Sequence, residues 1–250
     1  MNSRRSELLI LLTLLALGLG LYALRWVLFS GPALHNEMWR FLVGDIGFLC
    51  LQIALVTLIL DRLLRNRERQ AMLRKLNMVI GAFFSEIGTQ LLGRLAVTDV
   101  TLAEVRPDLI PQMGWTESHY RAAEQAVAEH HPKIDIDACD LESLKSMLVA
   151  EKPFLLGLLS NQALLEHEQF TELLWAVTHL AEELDARTAF DALPVPDRIH
   201  LTGDVKRAYE LLTLQWLSYL RHLQTQYPYL FSLAARVNPL DPDAHVEVTG

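Results

Sequence analysis

The sequence predicts an all-α protein in which an N-terminal two-helix transmembrane hairpin is followed by a cytoplasmic helical bundle. Two long apolar runs, residues 8–24 and 41–60, open the chain. After them, apolar residues recur at the three- and four-residue spacing of amphipathic helices. Strand-like segments are confined to residues 134–136 and 245–248. With 250 residues, 51% of them hydrophobic, the chain is too apolar to be disordered.

The two apolar runs predict membrane spans over residues 8–28 and 41–60. Twenty helical residues, at about 1.5 Å each, cover the roughly 30 Å of bilayer hydrocarbon. Two alternatives stay open: a buried helix of a soluble protein, and, for the first run, a cleaved signal peptide. Arg4 and Arg5 resemble the basic start of a signal peptide, but the run is longer than about 15 residues and no A-x-A site follows.

The distribution of basic residues predicts the orientation of the hairpin. Arg4 and Arg5 precede the first span, and six basic residues in 62–75 follow the second. The positive-inside rule then puts both termini in the cytoplasm and residues 30–38 outside, with Trp26 and Trp39 at the outer interface. We expect a multi-pass protein of the inner (cytoplasmic) membrane, with a hairpin over residues 1–62, a cytoplasmic domain over 63–237 and a tail over 238–250.

The charge balance bears on the partners of the cytoplasmic part. The formal net charge is −8. Residues 1–75 hold ten basic and five acidic residues, whereas residues 76–250 hold twelve basic and 25 acidic ones. This acidic body argues against nucleic acid as a partner, because nucleic-acid binding depends on clustered Lys and Arg. The expected partners are the lipid bilayer, further copies of the chain and an unidentified cytoplasmic protein.

The amphipathic pattern predicts the helices of the cytoplasmic domain. We expect the second span to continue as one long helix to about residue 95, and further helices over 116–130, 140–151, 166–187 and 204–225, with a short one from residue 228. Pro153 is interpreted as a helix stop, and 193–196 as a linker. Apolar side chains surround the axis of the 204–225 helix, which is therefore expected at the centre of the bundle.

Small and polar residues in the helices are candidates for packing and for function. Asp45 and Gln52, seven residues apart, share a face of the second span and are candidate pore or intramembrane polar residues. The alternative is that Asp45 reaches the outer water. Small residues that let helices approach closely are candidate packing positions: Ala16, Gly20, Gly44, Gly47, Gly81, Ser85 and Gly88.

One helix face offers metal-binding side chains. Glu168, Glu172, His179 and Glu183 project within about 60° of one another on an ideal helix. Carboxylates and imidazoles on bundle helices build di-iron sites, but those sites need Glu-x-x-His pairs, which this helix lacks. The stripe also lies opposite the apolar face, which favours a solvated surface. The two cysteines, Cys50 and Cys139, are too few for a thiolate zinc site, and no cofactor is predicted.

Two segments carry a resemblance to other proteins. The stretches LNMVIGAFFSEIGTQLL (76–92) and YPYLFSLAARVNP (227–239), with QWLSYLRHL (215–223) between them, resemble a group of uncharacterised prokaryotic two-span membrane proteins. That group has no assigned activity, so the resemblance implies a fold and a membrane location but no catalytic residue.

These observations favour a membrane-anchored cytoplasmic module for interaction or sensing, acting as a homo-oligomer. The sequence contains no Gly-rich phosphate loop, no G-x-S-x-G and no H-E-x-x-H motif, so nothing in it indicates an enzyme. Two alternatives stay open. The first is a subunit of a small oligomeric ion channel or transporter that uses Asp45 and Gln52. The second is a metal-dependent helical-bundle enzyme that uses the stripe from Glu168 to Glu183.

Overall fold

The protein is described from a computed structural model that covers residues 2–28, 37–161, 164 and 167–247. The chain divides into two compact units, Met1–Ala71 and Met72–Gly250, and each is described by itself. All regular elements within these ranges are helical, apart from an isolated antiparallel bridge between Asp99 and Ile134. The predicted all-α class is therefore confirmed for the described part of the chain.

Unit 1 consists of α1 (Asn2–Leu28) and the first part of α2 (Glu37–Phe83). The predicted outer loop lies almost wholly outside the described residues, and so do the side chains of Trp26 and Trp39. The two helices pack through glycines. A Cβ on Gly47 would lie 3.2 Å from the Tyr22 ring, and one on Gly18 would lie 3.2 Å from the Leu51 side chain. Unit 1 thus has a close helix–helix contact that a larger side chain would disturb.

Part of α2 has the length and composition of a membrane span. Among the described residues, one helical stretch, Gly44–Ala96, includes a segment long and apolar enough to cross a membrane. The apolar part of α1 for which side chains are described, Leu12–Leu24, is shorter. The basic residues that follow the apolar part of α2, from Arg62 to Lys75, are exposed.

Unit 2 is a bundle built around α8. Its elements are the end of α2, a π-helical turn (Phe84–Gly88), α3 (Thr89–Ala96), α4 (Leu102–Val105), α5 (Glu117–Glu129), α6 (Leu141–Leu159), α7 (Glu168–Asp185), α8 (Val195–Gln226) and α9 (Pro228–Arg236). Helix α8 packs against α3, α5, α7 and α9. Its side chains Leu212, Trp216 and Leu220 are almost completely buried, which agrees with the predicted central position.

Three helix boundaries differ from the prediction. Helix α6 does not end before Pro153 but continues to Leu159. Leu155 and Leu158, in the part of α6 after Pro153, are buried in the core, and their burial outweighs the cost of about 3 kcal/mol for a proline inside a helix. Helix α8 begins at Val195 rather than at residue 204, because Pro196 occupies its first turn, where the missing N–H has no helical partner. The long helix from α2 is interrupted by the π-helical turn.

Candidate metal centre

The candidate site begins on the exposed edge of α7. His179 and Glu183 are four residues apart and therefore lie on one side of the helix, a turn from each other. The opposite side of α7 is apolar and buried, with Val177, Leu180 and Leu184 inaccessible to solvent. Burial of this apolar side fixes the rotation of the helix. His179 and Glu183 are consequently held at the boundary between α7 and α8.

Helix α8 offers a matching pair to the same boundary. His200 and Asp204 are also four residues apart, and the neighbouring Leu201 and Val205 are completely buried. His179 lies near Asp204 and Glu183 near His200, so the two helices run antiparallel at this point. Each helix therefore contributes one His-x-x-x-carboxylate motif to a single cluster.

The four side chains converge on one small volume. His179 Nε2 lies 3.6 Å from Asp204 Oδ2 and 3.9 Å from Glu183 Oε1. His200 Nε2 lies 3.3 Å from Asp204 Oδ2 and 3.5 Å from Glu183 Oε2. The two imidazole rings are nearly perpendicular, with an interplanar angle of 83° and centroids 6.5 Å apart. Both nitrogens thus face both carboxylates.

Asp204 forms the buried floor of the cluster. Its side chain is 4% exposed, whereas those of His179 and His200 are 44% and 51% exposed. No group among the described residues donates a hydrogen bond to Oδ2 of Asp204. The Arg207 guanidinium approaches the other oxygen, Oδ1, at 3.6 Å. A buried carboxylate oxygen without a donor is costly, since a lost hydrogen bond to a buried group costs about 1–3 kcal/mol.

Arg187 holds the outer side of the cluster in place. Its Nη1 donates to Glu183 Oε2 at 2.8 Å, and its Nε and Nη2 form a two-pronged contact with Asp197 at the start of α8. The hydrogen bond from Arg187 is the main cause that lowers the pKa of Glu183, and it likewise lowers the pKa of Asp197. Glu183 is therefore ionised and oriented toward the cluster, while the ends of α7 and α8 are tied together.

Comparison with known proteins places the chain in a family. Residues 72–236 match a family described as "Uncharacterized protein MJ1433, C-terminal helical domain", and residues 2–64 match one described as "MJ1433, N-terminal helical domain". A relative from Methanocaldococcus jannaschii, "Uncharacterized protein MJ1433", is 39% identical over 241 residues, which cover 96% of each chain. The chain belongs to the MJ1433 family. No solved structure matches it. Of the predicted resemblance to uncharacterised two-span membrane proteins, the uncharacterised group is thus confirmed, with helical domains, and the two spans stay a prediction.

The structure separates the four metal-binding candidates predicted from the sequence of this MJ1433 family member. His179 and Glu183 belong to the cluster, whereas Glu168 and Glu172 are exposed on earlier turns of α7. His200 and Asp204 were missed, because the helix that carries them was predicted to begin only at Asp204. The signal that identifies them is the repeated spacing His-x-x-x-Glu on α7 and His-x-x-x-Asp on α8.

The candidate packing and pore residues lie in several environments. Gly44 and Gly47 are buried, whereas Ala16 and Gly20 are exposed, as are the side chains of Asp45 and Gln52. In unit 2, Gly81 lies beside the Tyr219 ring and Ser85 is exposed. Gly88 is in the tightest position of the set, since a Cβ there would lie 2.6 Å from the Phe83 ring.

Two other polar groups of unit 2 are already satisfied or inert. The completely buried Asp99 carboxylate accepts hydrogen bonds from Thr101, and His130 Nε2 lies 2.8 Å from it. Burial, together with the adjacent Asp140 carboxylate, raises the pKa of the Cys139 thiol to about 11, so this thiol is not an activated nucleophile. The cluster between α7 and α8 is the stronger candidate for chemistry.

Proposed function

We propose that this MJ1433 family member is a membrane-anchored sensing module, in which α1 and α2 of unit 1 span the inner (cytoplasmic) membrane and unit 2 is a cytoplasmic ligand-binding domain. The exposed apolar surface of unit 1 is the main support. Its exposed side chains include Leu12, Leu17, Leu19, Leu24, Phe41, Phe48, Leu49, Ile53, Leu55, Val56, Leu58, Ile59 and Leu60. Soluble monomers rarely expose a continuous apolar patch above about 600 Å². An apolar surface of this kind is stable when it contacts the hydrocarbon chains of a lipid bilayer.

The charge pattern supports a cytoplasmic unit 2. The basic segment 62–75 directly follows the apolar part of α2, and its exposed Arg and Lys side chains suit the cytoplasmic membrane face. Long basic side chains at a helix end also bury their stems against lipid while the charge stays in water. The same rule assigns both termini to the cytoplasm.

The exposed small residues of unit 1 support self-association. Gly18 and Gly47 are used in the contact between α1 and α2, but Ala16 and Gly20 are exposed, and a Cβ on Gly20 would meet no atom within 4 Å. Small residues four apart let two helices approach closely in lipid. We propose that Ala16 and Gly20 contact α1 of a second copy.

Membrane extraction and topology reporters test the proposed function. The full-length protein should stay in the membrane pellet after alkaline carbonate washing and should leave it only with detergent. A reporter that is active only in the cytoplasm should be active after Gly250, and one that is active only outside should be active between Gly31 and Asn36. Release by carbonate, or a C-terminus on the non-cytoplasmic side of the membrane, would contradict the proposal.

An oligomeric channel is the second candidate, and the exposure of Asp45 and Gln52 favours it. Both side chains are exposed in unit 1 and lie on one face of α2, two turns apart. In a ring of copies they would line a polar path. A cation-selective conductance in reconstituted vesicles that disappears with Asp45→Asn would establish this candidate. If the hairpin is an anchor only, Asp45→Leu leaves expression unchanged or improves it, and no conductance is found.

A further inference from the structure

We infer that His179, Glu183, His200 and Asp204 bind a zinc ion, which is the ligand that the proposed sensing domain detects. The sensing role and the cytoplasmic location of this site rest on the proposed function, whereas zinc binding does not. All four residues lie in unit 2, on α7 and α8, so the binding itself does not depend on how unit 1 meets the membrane.

The nitrogen–oxygen distances within the cluster are close to those of tetrahedral zinc. With Zn–N and Zn–O bonds of about 2.0–2.2 Å, neighbouring ligand atoms of a tetrahedron are about 3.3–3.6 Å apart. The four nitrogen–oxygen separations of the cluster are 3.3, 3.5, 3.6 and 3.9 Å. His179, Glu183 and His200 offer ligand atoms that all lie within 4.8 Å of one another, and Asp204 Oδ2 lies 3.6 Å and 3.3 Å from the two imidazole nitrogens. An ion held by the two imidazoles and Glu183 would therefore gain Asp204 as its fourth ligand after a side-chain rotation.

Asp204 provides an independent indication of a cation. Its Oδ2 is buried, points into the cluster, and receives no hydrogen bond from any described residue. Nε2 of His200 lies 3.3 Å from it and Nε2 of His179 lies 3.6 Å from it, and both are metal-binding atoms. Arg207 approaches the other oxygen of this carboxylate, so Oδ2 is the atom that lacks a partner, and an ion bound by His179 and His200 would supply its positive charge.

The set of donor atoms indicates which metal. Two imidazole nitrogens and two carboxylates suit zinc and other first-row transition ions, whereas Ca²⁺ and Mg²⁺ prefer sites made of oxygen alone. The half-exposed rings of His179 and His200 let an ion enter from water without unfolding of the bundle. Glu183 is held in place by a hydrogen bond from Arg187, so one carboxylate is already oriented for the ion.

Zinc binding would join two helices that the chain connects only through residues 186–194. Each helix supplies one nitrogen and one oxygen ligand, so neither helix alone completes the site. A bound ion would add a link between the exposed edges of α7 and α8, which without the ion are held by their buried apolar contact and by Arg187 with Asp197. This difference between two states is what a sensing domain needs in order to report zinc to a partner.

Calorimetry with Zn²⁺ on the full-length protein in detergent, after treatment with a chelator, tests the inference. We expect one Zn²⁺ per chain, and Ca²⁺ and Mg²⁺ in excess should not compete. His200→Gln and Asp204→Asn should each weaken binding by at least about 100-fold, since loss of even an outer partner of a metal ligand costs about 10–100-fold. His200 is half exposed, so His200→Gln tests the site even if Asp204→Asn folds poorly.

Glu168→Gln and Glu172→Gln are the matched controls, because both residues are exposed acids on α7 outside the cluster. They should change the affinity by less than twofold, and His119→Gln, which alters an exposed histidine on α5, should do the same. The inference is overturned if wild type takes up no stoichiometric Zn²⁺, or if the controls lose as much affinity as His200→Gln. A protein that binds zinc but is released by carbonate would contradict the membrane proposal alone.

Discussion

Asp99 and Asp204 are both buried carboxylates of unit 2, yet their surroundings differ in one decisive respect. Asp99 accepts hydrogen bonds from the backbone N–H and the hydroxyl of Thr101, and His130 Nε2 lies within hydrogen-bonding distance. Asp204 Oδ2 receives none from the described residues. A satisfied buried acid stabilises the loop that contains it, whereas an unsatisfied one costs stability until a cation arrives.

Asp99 should make the stability of unit 2 sensitive to acid. Burial alone would raise the pKa of Asp99, but the hydrogen bonds involving His130 and Thr101 outweigh it and lower that pKa. Because the pKa is lower in the folded than in the unfolded state, the stabilisation is complete above the unfolded value of about 3.9 and is lost as the pH falls through the folded value. Asp99→Asn should lower the free energy of unfolding by about 1–3 kcal/mol at neutral pH and weaken its dependence on pH below about 4.

Chemical denaturation over a pH series measures both effects. An unchanged acid dependence in the variant would show that other carboxylates cause it.

Arg187 should act as a positioning residue for the cluster. It donates to Glu183 and to Asp197 but points no lone pair at a metal. Arg187→Ala should therefore weaken Zn²⁺ binding by about 10–100-fold without removing a ligand, and Arg187→Lys should restore only part of the loss, because Lys cannot form the two-pronged contact. The stoichiometry should stay at one Zn²⁺ per chain. An affinity equal to that of wild type would show that Glu183 is oriented without Arg187.

At the scale of elements, the π-helical turn between α2 and α3 decides how the core is filled. Phe84 stacks on Tyr219, with ring centroids 5.0 Å apart, and Phe83 meets Phe170 edge-on. The widened turn brings two consecutive aromatic residues, Phe83 and Phe84, into the buried core. Gly88, at the end of the turn, is itself buried and lies against both rings.

Gly88→Ala should destabilise unit 2, whereas Gly81→Ala should not. A Cβ at position 88 would approach the rings of Phe83 and Phe84 to within 2.8 Å, and overpacking of this kind costs about 1–3 kcal/mol. At position 81 the nearest atom is 3.7 Å away, so alanine should be neutral or gain up to about 1 kcal/mol through its higher helix propensity. Thermal unfolding monitored by circular dichroism compares the two variants. Equal stability would mean that the rings move aside freely.

The elements also show where reasoning from the sequence succeeds and where it fails. The apolar spacing of residues 170–184 predicts α7 to within two residues at each end, because one continuous apolar face is sufficient to define a helix. The predicted start of α8 was wrong, because the first three turns of this helix carry few apolar residues. Contacts such as the one between Arg187 and Asp197 hold these turns in place instead. The candidate site was half predicted for the same reason: periodicity identifies one helix face, but only packing shows which second helix faces it.

At the scale of the whole molecule, the two units are suited to different solvents. The exposed surface of unit 1 is largely apolar, whereas unit 2 buries a continuous apolar core and belongs to the strongly acidic part of the chain. In the proposed account, unit 1 anchors the protein and unit 2 binds zinc. The two functions are separable, so a change at the cluster should leave membrane insertion intact.

Zinc should stabilise unit 2 by an amount that grows with the logarithm of its free concentration above the Kd. At a free Zn²⁺ concentration of 100 times the Kd, binding to the folded state alone adds about 2.7 kcal/mol to the free energy of unfolding. The thermal midpoint of the detergent-solubilised protein should therefore rise with Zn²⁺, and His200→Gln should abolish the rise. Mg²⁺ is the control ion and should have no effect. A rise that persists in His200→Gln would indicate zinc binding elsewhere.

X-ray absorption at the zinc edge of the full-length protein loaded with one Zn²⁺ tests the central claim most directly, because it reports the ligands themselves. The account predicts a first shell of nitrogen and oxygen atoms at about 2.0–2.2 Å, with the outer-shell scattering of two imidazole rings and no sulfur at about 2.3 Å. His200→Gln should reduce the imidazole count to one. A sulfur shell, which would point to Cys50 or Cys139, or a first shell of six oxygens without imidazole, would contradict it.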